Sequence, residues 1–518
     1  MKPTLKRSLL GLKKTLHGVG QSLTEAFQAP LRQQPNLITA LCLTAPLSLA
    51  TPASAGLDDA SVESTSDLSA LSTLSTASLG YIYGFPLVLM GETRDGLTGP
   101  ERSCTFGADT NRFTHVLDIP DSSFKAVVRP NVDTLYSSAM LDLASGPVRL
   151  DMPAVPDRYV LMTLLDAWSN NFAGVGTQSH GDDSGHYLIV GPDWAGSARD
   201  RLAAKRQGLT ILESPTNLVW IIGRTEVRGE DDIPAVNAIQ QQYQLTPPLV
   251  TIQQSTNLPH PGCVEDSEKS PPIDVVTGLS GEAFFTRLDT LMRQQPAPTE
   301  DAALVSALAR IGVGPDANFH VSELSARQKR QLDRGLAFAQ ASIDEALGLL
   351  GLGGWGPDPR WVPLGDFGRR YFIRALVAQV GFGANKAEYA IYQNTERDSD
   401  GERLHGKHTY VFRLDASDLP PTRAFWSMTL YGDDGFLRDS DAAAALGHQA
   451  YAVSDLQPLT PDEHGFIDVY ISAIPPEGVP LENWLPAPNE PFQLTLRFYD
   501  PDDTLLNNQW DIPEPEKR

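Results

Sequence analysis

The chain is 518 residues long, with 41% apolar and 20% charged residues, and is expected to fold as a soluble protein of two or three domains. Its 64 acidic residues outnumber the 41 basic ones and give a formal net charge of -23 at pH 7. Such a chain repels phosphate backbones and anionic lipids. Nucleic acids and anionic membrane surfaces are therefore excluded from the expected partners.

The first 55 residues predict an export leader. Several Lys and Arg residues precede a largely apolar run at 37–50, and the small residues Ala53, Ser54 and Ala55 predict cleavage before Gly56. A membrane anchor is the alternative, but the run is shorter than the roughly 18 residues that a spanning helix needs. We therefore expect a periplasmic or secreted protein with no stable membrane insertion after cleavage.

The segments that follow change from helical to strand-like patterns. Residues 56–110 predict a helical lead-in, with a helix that ends near 81–86. In 111–230, short apolar or alternating runs are bounded by Gly, Pro, Asp or Asn, which predicts antiparallel strands in a first β-sandwich domain. Cys104 and Cys263 are the cysteines that remain after cleavage, and the sequence leaves open whether they pair.

The second half of the chain repeats the β pattern after a helical segment. Residues 231–280 lose the strand pattern and predict a loop or linker, and 281–384 show helical spacing. Strand-like runs return in 385–518 and predict a second β-sandwich domain. The predicted fold class is therefore mainly β, with a helical region between two antiparallel sandwiches.

The first candidate site is the segment RPNVDTLY at 129–136, which joins a cation, an amide, a carboxylate, a hydroxyl and a phenol. Its proline favours extended geometry at Arg129. In an enzyme, Arg129 would clamp an anionic or carbonyl group, Asp133 would act as general acid or base, and Tyr136 would donate to an oxyanion. Asn131 is assigned to substrate binding. The alternative is a buried staple that joins two sheets.

The second candidate site follows an apolar strand. Asp166, Trp168 and Asn170 place a carboxylate, an indole and an amide at a strand end, where pocket mouths often lie. We assign these three residues to substrate binding. The alternative is a turn in which Asp166 and Asn170 cap local backbone while Trp168 packs in the core.

Other patterns do not support a specific chemistry. Gly351, Gly353 and Gly356 match a dinucleotide-binding spacing but follow a predicted helix, so a helix end and turn is expected. The segment 398–401 resembles the start of a calcium loop, although its glycine stands in the wrong place, and a hairpin turn between Tyr392 and Tyr410 is the simpler interpretation. His405 and His408 would point to opposite faces of a strand. We predict no metal site, and no motif identifies a cofactor.

Specific motifs along most of the chain resemble a bacterial two-domain family. The N-terminal part resembles domain of unknown function 1254, through YGFPL at 83–87, NRFTH at 111–115, VRPNVDTLY at 128–136, LLDAW at 164–168 and HYLIVGP at 186–192. The C-terminal part resembles domain of unknown function 1214, through GERLHG at 401–406, FWSMTLY at 425–431, NWLPAP at 483–488 and LTLRFY at 494–499. The resemblance implies two jelly-roll-like sandwiches with a helical insert and a homo-oligomer. It carries no catalytic residues.

Three functions compete at this stage. The leading hypothesis is an exported enzyme that acts on a small polar organic molecule in a pocket of the first β domain. The runner-up is a non-enzymatic envelope protein that binds a ligand or carbohydrate through residues such as Trp168, Trp426 or Tyr451. The third is a structural oligomer in which 129–136 only joins two sheets. A small-molecule ligand is the expected partner.

Overall fold

The computed structural model describes residues 65–124, 129–247, 263–350, 355–356 and 363–518. All of them belong to one compact unit that spans Ala60–Arg518. The predicted leader and its cleavage site lie outside the described residues, as do Gly351 and Gly353.

A helical layer is built around the 34-residue helix α1, Thr65–Thr98. It contacts the helices Pro272–Thr277, Gly281–Gln294, Ala302–Leu308, Ala326–Leu350 and Tyr371–Gly381. The other helices of the described residues are α2 (Thr177–His180), α3 (Ala198–Arg206), α4 (Ile233–Gln240), α5 (Pro272–Thr277), α6 (Gly281–Gln294), α7 (Ala302–Leu308), α8 (Ala326–Leu350), α9 (Tyr371–Gly381), α10 (Asp441–Leu446) and α11 (Asp503–Leu506).

Helix α1 is longer than its sequence predicts. The expected end near 81–86 is wrong, because the helix passes through Pro86 and ends at Thr98. A proline inside a helix costs about 3 kcal/mol, and here burial of the flanking Phe85 and Leu87 on neighbouring helices offsets that cost. The stretch Ser72–Thr98 is long and apolar enough to cross a membrane, but 78% of its most apolar window is buried by the rest of the protein. It is therefore the core helix of the helical layer.

The first β-sandwich domain contains two sheets. Their strand orders are β1-β2-β8-β4-β5 and β7-β6-β3-β9. All the paired strands run antiparallel except β6 and β7, which are parallel. The strands are β1 (Thr114–His115), β2 (Thr134–Asp142), β3 (Val148–Met152), β4 (Val160–Asp166), β5 (Asn171–Gly176), β6 (Gly185–Val190), β7 (Thr210–Glu213), β8 (Leu218–Glu226) and β9 (Gln244–Thr246).

The second β-sandwich domain has the sheet orders β10-β16-β12-β13 and β15-β14-β11-β17. Only the pair β14–β15 among these described strands is parallel. The predicted mainly β fold with two sandwiches and helices is confirmed, while the purely antiparallel pairing is wrong at two pairs. The strands are β10 (Ala390–Thr395), β11 (Tyr410–Asp415), β12 (Thr422–Gly432), β13 (Ala452–Ser454), β14 (Phe466–Ser472), β15 (Trp484–Pro486), β16 (Phe492–Pro501) and β17 (Glu516–Lys517).

The five-stranded sheet of the first domain is covered on both faces. One face forms the sandwich core with the second sheet, through residues such as Leu141 and Leu164. The opposite face meets the helical layer at Trp220 and the second β domain at Leu161, which packs in a cluster with Tyr499. Because the two β domains meet on this face, side chains that strand alternation would turn towards solvent are buried between the domains.

Two predictions about connections are corrected. The predicted linker at 231–280 contains α4, β9 and α5, and β9 pairs with β3 at the edge of the second sheet. The predicted hairpin turn between Tyr392 and Tyr410 is present only locally: Arg397 and Arg403 form an antiparallel bridge and Asp398 N–H donates to the Glu402 carbonyl at 2.9 Å, whereas β10 pairs with β16 and β11 pairs with β14. Sheets built from strands distant in sequence leave no local signal of this pairing.

A disulfide joins the segment after α1 to the segment before α5. Cys104 and Cys263 are bonded, their Cα atoms lie 5.0 Å apart, and 159 residues separate them in sequence. The backbone beside them also pairs, since Cys104 N–H donates to the Val264 carbonyl at 3.1 Å. The question that the sequence left open is answered by a closed bridge.

Candidate functional site

The segment 129–136 lies between the two β domains, where β2 begins. Asp133 is only 6% exposed, and its carboxylate accepts a hydrogen bond from Ser427 Oγ of the second domain at 2.5 Å. Asn131 Oδ1 accepts from Asp133 N–H at 2.7 Å, and Asn131 Nδ2 donates to Tyr499 OH at 2.5 Å. Two of the predicted site residues therefore bind the partner domain.

Arg129 also contributes to this contact, with a geometry that the sequence did not predict. Its φ is 53°, in the left-handed region, so the expected extended conformation is wrong. Arg129 Nη2 donates to Gln493 Oε1 at 2.6 Å, and its backbone N–H donates to the Gly435 carbonyl at 2.8 Å. Contacts with the second domain hold the residue in this conformation.

Arg497 of β16 is the more deeply buried of the two arginines at this contact. It is 3% exposed and donates to Thr429 Oγ1 at 2.7 Å, to Tyr431 OH at 2.8 Å and to the Arg129 carbonyl at 3.2 Å. Burial raises the pKa of Asp133, while the Ser427 hydrogen bond and the charge of Arg497 act in the opposite direction. Asp133 and Arg497 thus form a compensated, buried staple between the domains, as in the alternative interpretation of 129–136.

Tyr136 has different surroundings from Asp133. It lies opposite Arg224 in the β2–β8 pair, and the Arg224 guanidinium stands over its ring with Cζ 5.6 Å from the ring centroid. The Tyr136 side chain is half-buried, and its hydroxyl makes no hydrogen bond with the part of the chain that the structure describes. Of the predicted catalytic residues, Tyr136 is the one placed to contact a ligand.

Arg224 is a buried cation held by a single amide. It is 7% exposed, and Arg224 Nη1 donates to Asn385 Oδ1 at 3.1 Å. Asn385 Oδ1 also accepts from Thr163 Oγ1 at 2.7 Å, and Asn385 Nδ2 donates to Tyr392 OH at 2.8 Å. Asn385 thereby links the first domain's sheet to the second domain's sheet and fixes one end of the guanidinium.

The other edge of the Arg224 guanidinium, formed by Nε and Nη2, makes no hydrogen bond within the described ranges. Burial lowers the pKa of Arg224, the surrounding phenols raise it more, and the net pKa lies above its ordinary value. The phenols belong to Tyr392, Tyr136, Tyr499 and Tyr159. No carboxylate among the described residues forms a salt bridge with Arg224, so its charge is uncompensated by an acid.

Two surface arginines show what such an edge binds. The Nε and Nη2 atoms of Arg413 donate to the two carboxylate oxygens of Asp468, each at 2.6 Å. Arg149 uses the same two atoms on Asp151, at 2.6 to 2.9 Å. A planar oxyanion matches this edge with two parallel hydrogen bonds. The Nε and Nη2 edge of Arg224 therefore has the geometry to bind a carboxylate. We call the region of Asn131, Asp133, Tyr136, Arg224, Asn385, Tyr392, Ser427, Arg497 and Tyr499 the interdomain seam.

The second predicted cluster forms a closed turn. Asp166 is 2% exposed, and its Oδ1 accepts from the backbone N–H groups of Trp168 and Asn170, both at 2.9 Å. Asn170 Nδ2 donates to Asp166 Oδ2 at 3.0 Å, and Trp168 Nε1 donates to the Pro296 carbonyl at 2.9 Å. These bonds match the alternative in which the acid caps the turn and the indole packs in the core.

A buried arginine lies beside this turn. Arg374 of α9 is 1% exposed, and its Cζ lies 5.5 Å from the ring centroids of Tyr83, Trp168 and Tyr371. Its Nε and Nη2 atoms have no hydrogen-bond partner among the described residues. Burial lowers its pKa, and nearby Tyr83, Asp166, Asp301 and Tyr371 act against that shift. We call the set of Tyr83, Asp166, Trp168, Asp301, Tyr371 and Arg374 the Arg374 chamber.

The two predicted clusters do not share a pocket. Asp166 pairs with Val219 near one end of β8, while Thr134 pairs with Glu226 at the other end. Seven residues of extended strand separate these positions, a span of about 23 Å. The seam and the Arg374 chamber are therefore two sites at opposite ends of one sheet.

Two further polar groups lie outside the seam and the Arg374 chamber. His405 and His408 lie in a turn rather than on a strand and line one cavity of about 230 Å³, so the prediction of opposite faces is wrong. Within the described residues no group of three or more His, Cys, Asp or Glu side chains could hold a metal ion. Ser184, His186 and Asp151 have the order of a nucleophile relay, but the serine is exposed and lies 3.4 Å from the imidazole, and Arg149 shares the acid.

Sequence reasoning missed the central residues of the seam. Arg224 follows the apolar run LVWIIG in the strand segment LVWIIGRTE, and a cation within a buried strand is a usable signal. Arg497 stands in the same way in the strand segment FQLTLRFYDP. Asn385 lies before β10 in a segment with no motif, and only the structure shows its role.

Comparison with known proteins agrees with this architecture. The model of Protein of unknown function (DUF1254) matches residues 110–247, and that of Protein of unknown function (DUF1214) matches residues 389–503. The chain carries both domains in that order. The DUF1254 match spans the strands β1 to β9 of the first sandwich, and the DUF1214 match spans β10 to β16 of the second.

Two solved structures match most of this chain. The chain is similar to the VPA0106 protein from Vibrio parahaemolyticus, with 20% identity, a TM-score of 0.62 and coverage of 86% of this chain and 100% of that chain. A putative uncharacterized protein from Burkholderia cenocepacia matches with 13% identity, a TM-score of 0.39 and coverage of 87% and 95%. A search of curated proteins found no match. At 20% identity, the Vibrio protein shares the fold and nothing more is carried over.

Proposed function

We propose that this protein binds a small organic carboxylate in the interdomain seam, with Arg224 as the anion-binding residue. The observation that carries the proposal is the Nε and Nη2 edge of Arg224, which has no hydrogen bond and no acid partner among the described residues and is not fully enclosed, although the residue as a whole is only 7% exposed. A carboxylate would form two parallel hydrogen bonds with this edge, as Asp468 does with Arg413.

Electrostatics favour an anion over a neutral ligand in the seam. Removing an arginine from water costs several kcal/mol unless a charge or hydrogen bonds compensate it. Arg497 has such compensation from three hydrogen bonds and the nearby Asp133. Arg224 has one hydrogen bond and the face of Tyr136, and a cation–π contact supplies about 0.5–2 kcal/mol. A bound carboxylate would supply the missing compensation.

The surrounding tyrosines favour a ligand with an aromatic or unsaturated body. Four tyrosine hydroxyl groups lie close enough to Arg224 to raise its pKa; they belong to Tyr392, Tyr136, Tyr499 and Tyr159. Aromatic side chains contribute large apolar contact area together with a polar hydroxyl. The Tyr136 hydroxyl, which has no partner in the described structure, would donate to a polar substituent of the ligand.

The proposal assigns binding rather than a catalytic step. Asp133 is already hydrogen-bonded to Ser427 and buried, so it is a structural residue in this proposal and not the general acid or base. Trp168 and Trp426 are 0% and 1% exposed, which argues against a carbohydrate-binding surface built on them. The enzyme hypothesis would require Tyr136 or a ligand group to supply the acid–base chemistry.

The proposed setting is the periplasm or the extracellular space. The predicted leader supports export, and the Cys104–Cys263 bond suits an oxidising compartment. An exported protein that binds a small carboxylate needs neither nucleic acid nor membrane partners, in keeping with the acidic composition.

The proposal is tested by thermal unfolding of the mature chain with benzoate and with benzamide, its neutral analogue. At ten times its dissociation constant, benzoate would stabilise the folded state by about 1.4 kcal/mol. Benzamide would give little stabilisation, because it lacks the charge that Arg224 needs. Arg224→Gln should abolish the benzoate effect, while Arg413→Gln, which removes an exposed arginine of similar geometry, should retain it. Equal stabilisation by benzoate and benzamide, or an undiminished effect in Arg224→Gln, would contradict the proposal.

A further inference from the structure

Helix α8, Ala326–Leu350, has one face buried in the helical layer and another face exposed. Its buried positions, such as Leu332, Ala339 and Ile343, belong to the core of that layer. The residues that face away from them recur at helical spacing and form one continuous surface. Six exposed residues make up this surface: Arg330, Arg334, Ala337, Phe338, Ala341 and Glu345. We call these six residues the α8 stripe.

The middle of the α8 stripe exposes apolar surface. Phe338 is 55% exposed, with Ala337 and Ala341 beside it on the helix. Val380 of α9 is 50% exposed, and it follows Gln379, whose Nε2 donates to Asp344 Oδ1 of α8 at 2.9 Å. Single exposed apolar residues are common on protein surfaces. The charges on either side of Phe338 therefore decide which partner this surface fits.

The charges of the α8 stripe are divided between its two halves. Arg330 and Arg334 precede Phe338, whereas Glu345 follows it. None of these three charged side chains makes a hydrogen bond or an ion pair with a described residue. Their order opposes the helix dipole, which favours acids near the N-terminus and bases near the C-terminus. The first turn of α8 has no acid and its last turn no base. The charges of the stripe therefore do not stabilise the helix that carries them and are available to a partner.

A second copy of the α8 stripe, turned by a two-fold rotation, is complementary to the first. In an antiparallel pair of α8 helices centred between Ala337 and Phe338, positions equally far from the centre lie opposite each other. Arg330 then meets Glu345 of the partner subunit, and the reverse contact repeats by symmetry. Phe338 meets Ala337 of the partner subunit, so a large side chain faces a small one. The two helix dipoles also run antiparallel, which is their favourable arrangement.

We propose that the α8 stripe is the contact surface of a symmetric homodimer, with α8 of one subunit antiparallel to α8 of the other. The formal net charge of -23 makes most of the surface repel a second copy. The α8 stripe instead brings Arg330 and Arg334 towards Glu345 of the partner subunit, which favours this face over others. The contact contains no residue of the seam, so it does not depend on the proposed function.

The size of the contact sets the expected strength of the dimer. A single pair of helix faces lies at the small end of specific interfaces, below about 1,200 Å² of total buried surface. We therefore expect monomer and dimer to exchange, with a dissociation constant in the micromolar range. The test is sedimentation velocity of the mature chain between about 1 and 200 µM at low salt. The dimer fraction of the wild type should rise across this range.

Charge reversal at Arg330 is the informative change. Arg330→Glu places an acid opposite Glu345 of the partner subunit and should weaken the dimer at least tenfold. The substitution moves an acid towards the N-terminus of α8, where the helix dipole favours it, so the monomer should stay folded. The double variant Arg330→Glu/Glu345→Arg restores the pair with its charges exchanged. Its dissociation constant should return to within about threefold of the wild-type value.

Two further variants separate the stripe from general charge effects. Arg199→Glu is the matched control, since Arg199 is an exposed arginine near the start of another helix, α3. It makes the same change of net charge and should leave the dissociation constant within about twofold of the wild type. Phe338→Ser removes the apolar centre and should weaken the dimer about fivefold or more. Arg224→Gln, which alters the seam, should dimerise as the wild type does.

Three outcomes overturn the proposal. The first is a wild type that stays monomeric over the whole concentration range. The second is a dimer that Arg330→Glu leaves intact, because association would then use another face. The third is a double variant that binds no more tightly than Arg330→Glu, which would reject the antiparallel pairing. A loss of the dimer in Arg330→Glu, its recovery in the double variant and no change in Arg199→Glu would establish the interface.

Discussion

The two buried arginines of the seam should differ sharply when each is replaced by methionine. Arg497→Met removes three hydrogen bonds and the cation that lies near Asp133. A hydrogen bond from a charged donor contributes about 1.5–3 kcal/mol, and the substitution removes three of them while leaving buried acceptors unpaired. We therefore expect Arg497→Met to lower the free energy of unfolding by about 4 kcal/mol.

Arg224→Met should cost far less. The substitution loses one hydrogen bond from a charged donor, worth about 1.5–3 kcal/mol, and a cation–π contact worth about 0.5–2 kcal/mol. Against this it removes the desolvation cost of a buried cation, which is several kcal/mol. The change in the free energy of unfolding should therefore lie within about 1 kcal/mol of zero. A methionine of similar length also fills most of the vacated space.

Urea unfolding without ligand measures both changes. The midpoints of Arg224→Met, Arg497→Met and the wild type are compared at similar slopes, since a change of slope would indicate altered cooperativity. Arg413→Met is the surface control and should lie within about 0.5 kcal/mol of the wild type. If Arg224→Met destabilises the protein as much as Arg497→Met, then Arg224 is a structural residue and the proposed anion site loses its physical basis.

Three further results follow from the described contacts. Asp133→Ala should lower the free energy of unfolding by about 3–5 kcal/mol, because it leaves Arg497 buried without its acid; a folded and equally stable variant in urea would argue against the staple. Burial lowers the pKa of His115 to about 4, and an unfolded histidine binds protons below about pH 6.5, so stability should fall as pH decreases from 6.5 to 4. His115→Gln should reduce this loss, by up to about 3 kcal/mol at pH 4, in urea titrations at several pH values. Replacing Cys104 and Cys263 by serine should cost about 2–5 kcal/mol, and a reductant should lower the melting temperature of the wild type but not that of the variant.

Strand alternation and turn residues were enough to predict the two β domains, because each has a core face of regularly spaced apolar residues such as Leu141 and Leu494. The same signals could not predict strand order. Strand β10 pairs with β16, about a hundred residues later in the chain. Helix α1 was cut short in the prediction because Pro86 ends most helices, and only the helices packed around it explain why it continues.

Only part of the candidate site could be predicted from the sequence, and the limit is again physical. The segment 129–136 was identified as unusual from its composition, but composition could not show that Asp133 would meet Ser427 across a domain boundary. Alternation identifies a polar strand position as facing away from the core and cannot tell solvent from a partner domain. Arg497, Thr429 and Tyr431 occupy such positions on the second domain's sheet, and all are buried by the first domain.

Under the proposed function, ligand binding and domain stability depend on the same surface. A sheet that used its outer face only to join two domains would be most stable with apolar residues or fully paired polar ones. In the seam, Arg497 satisfies this condition through three hydrogen bonds, whereas Arg224 keeps an open edge a short distance along the same interface. A buried cation with an unused edge costs folding free energy, and an anion that binds the folded state recovers it. The proposed anion site therefore depends on the contrast between these two arginines.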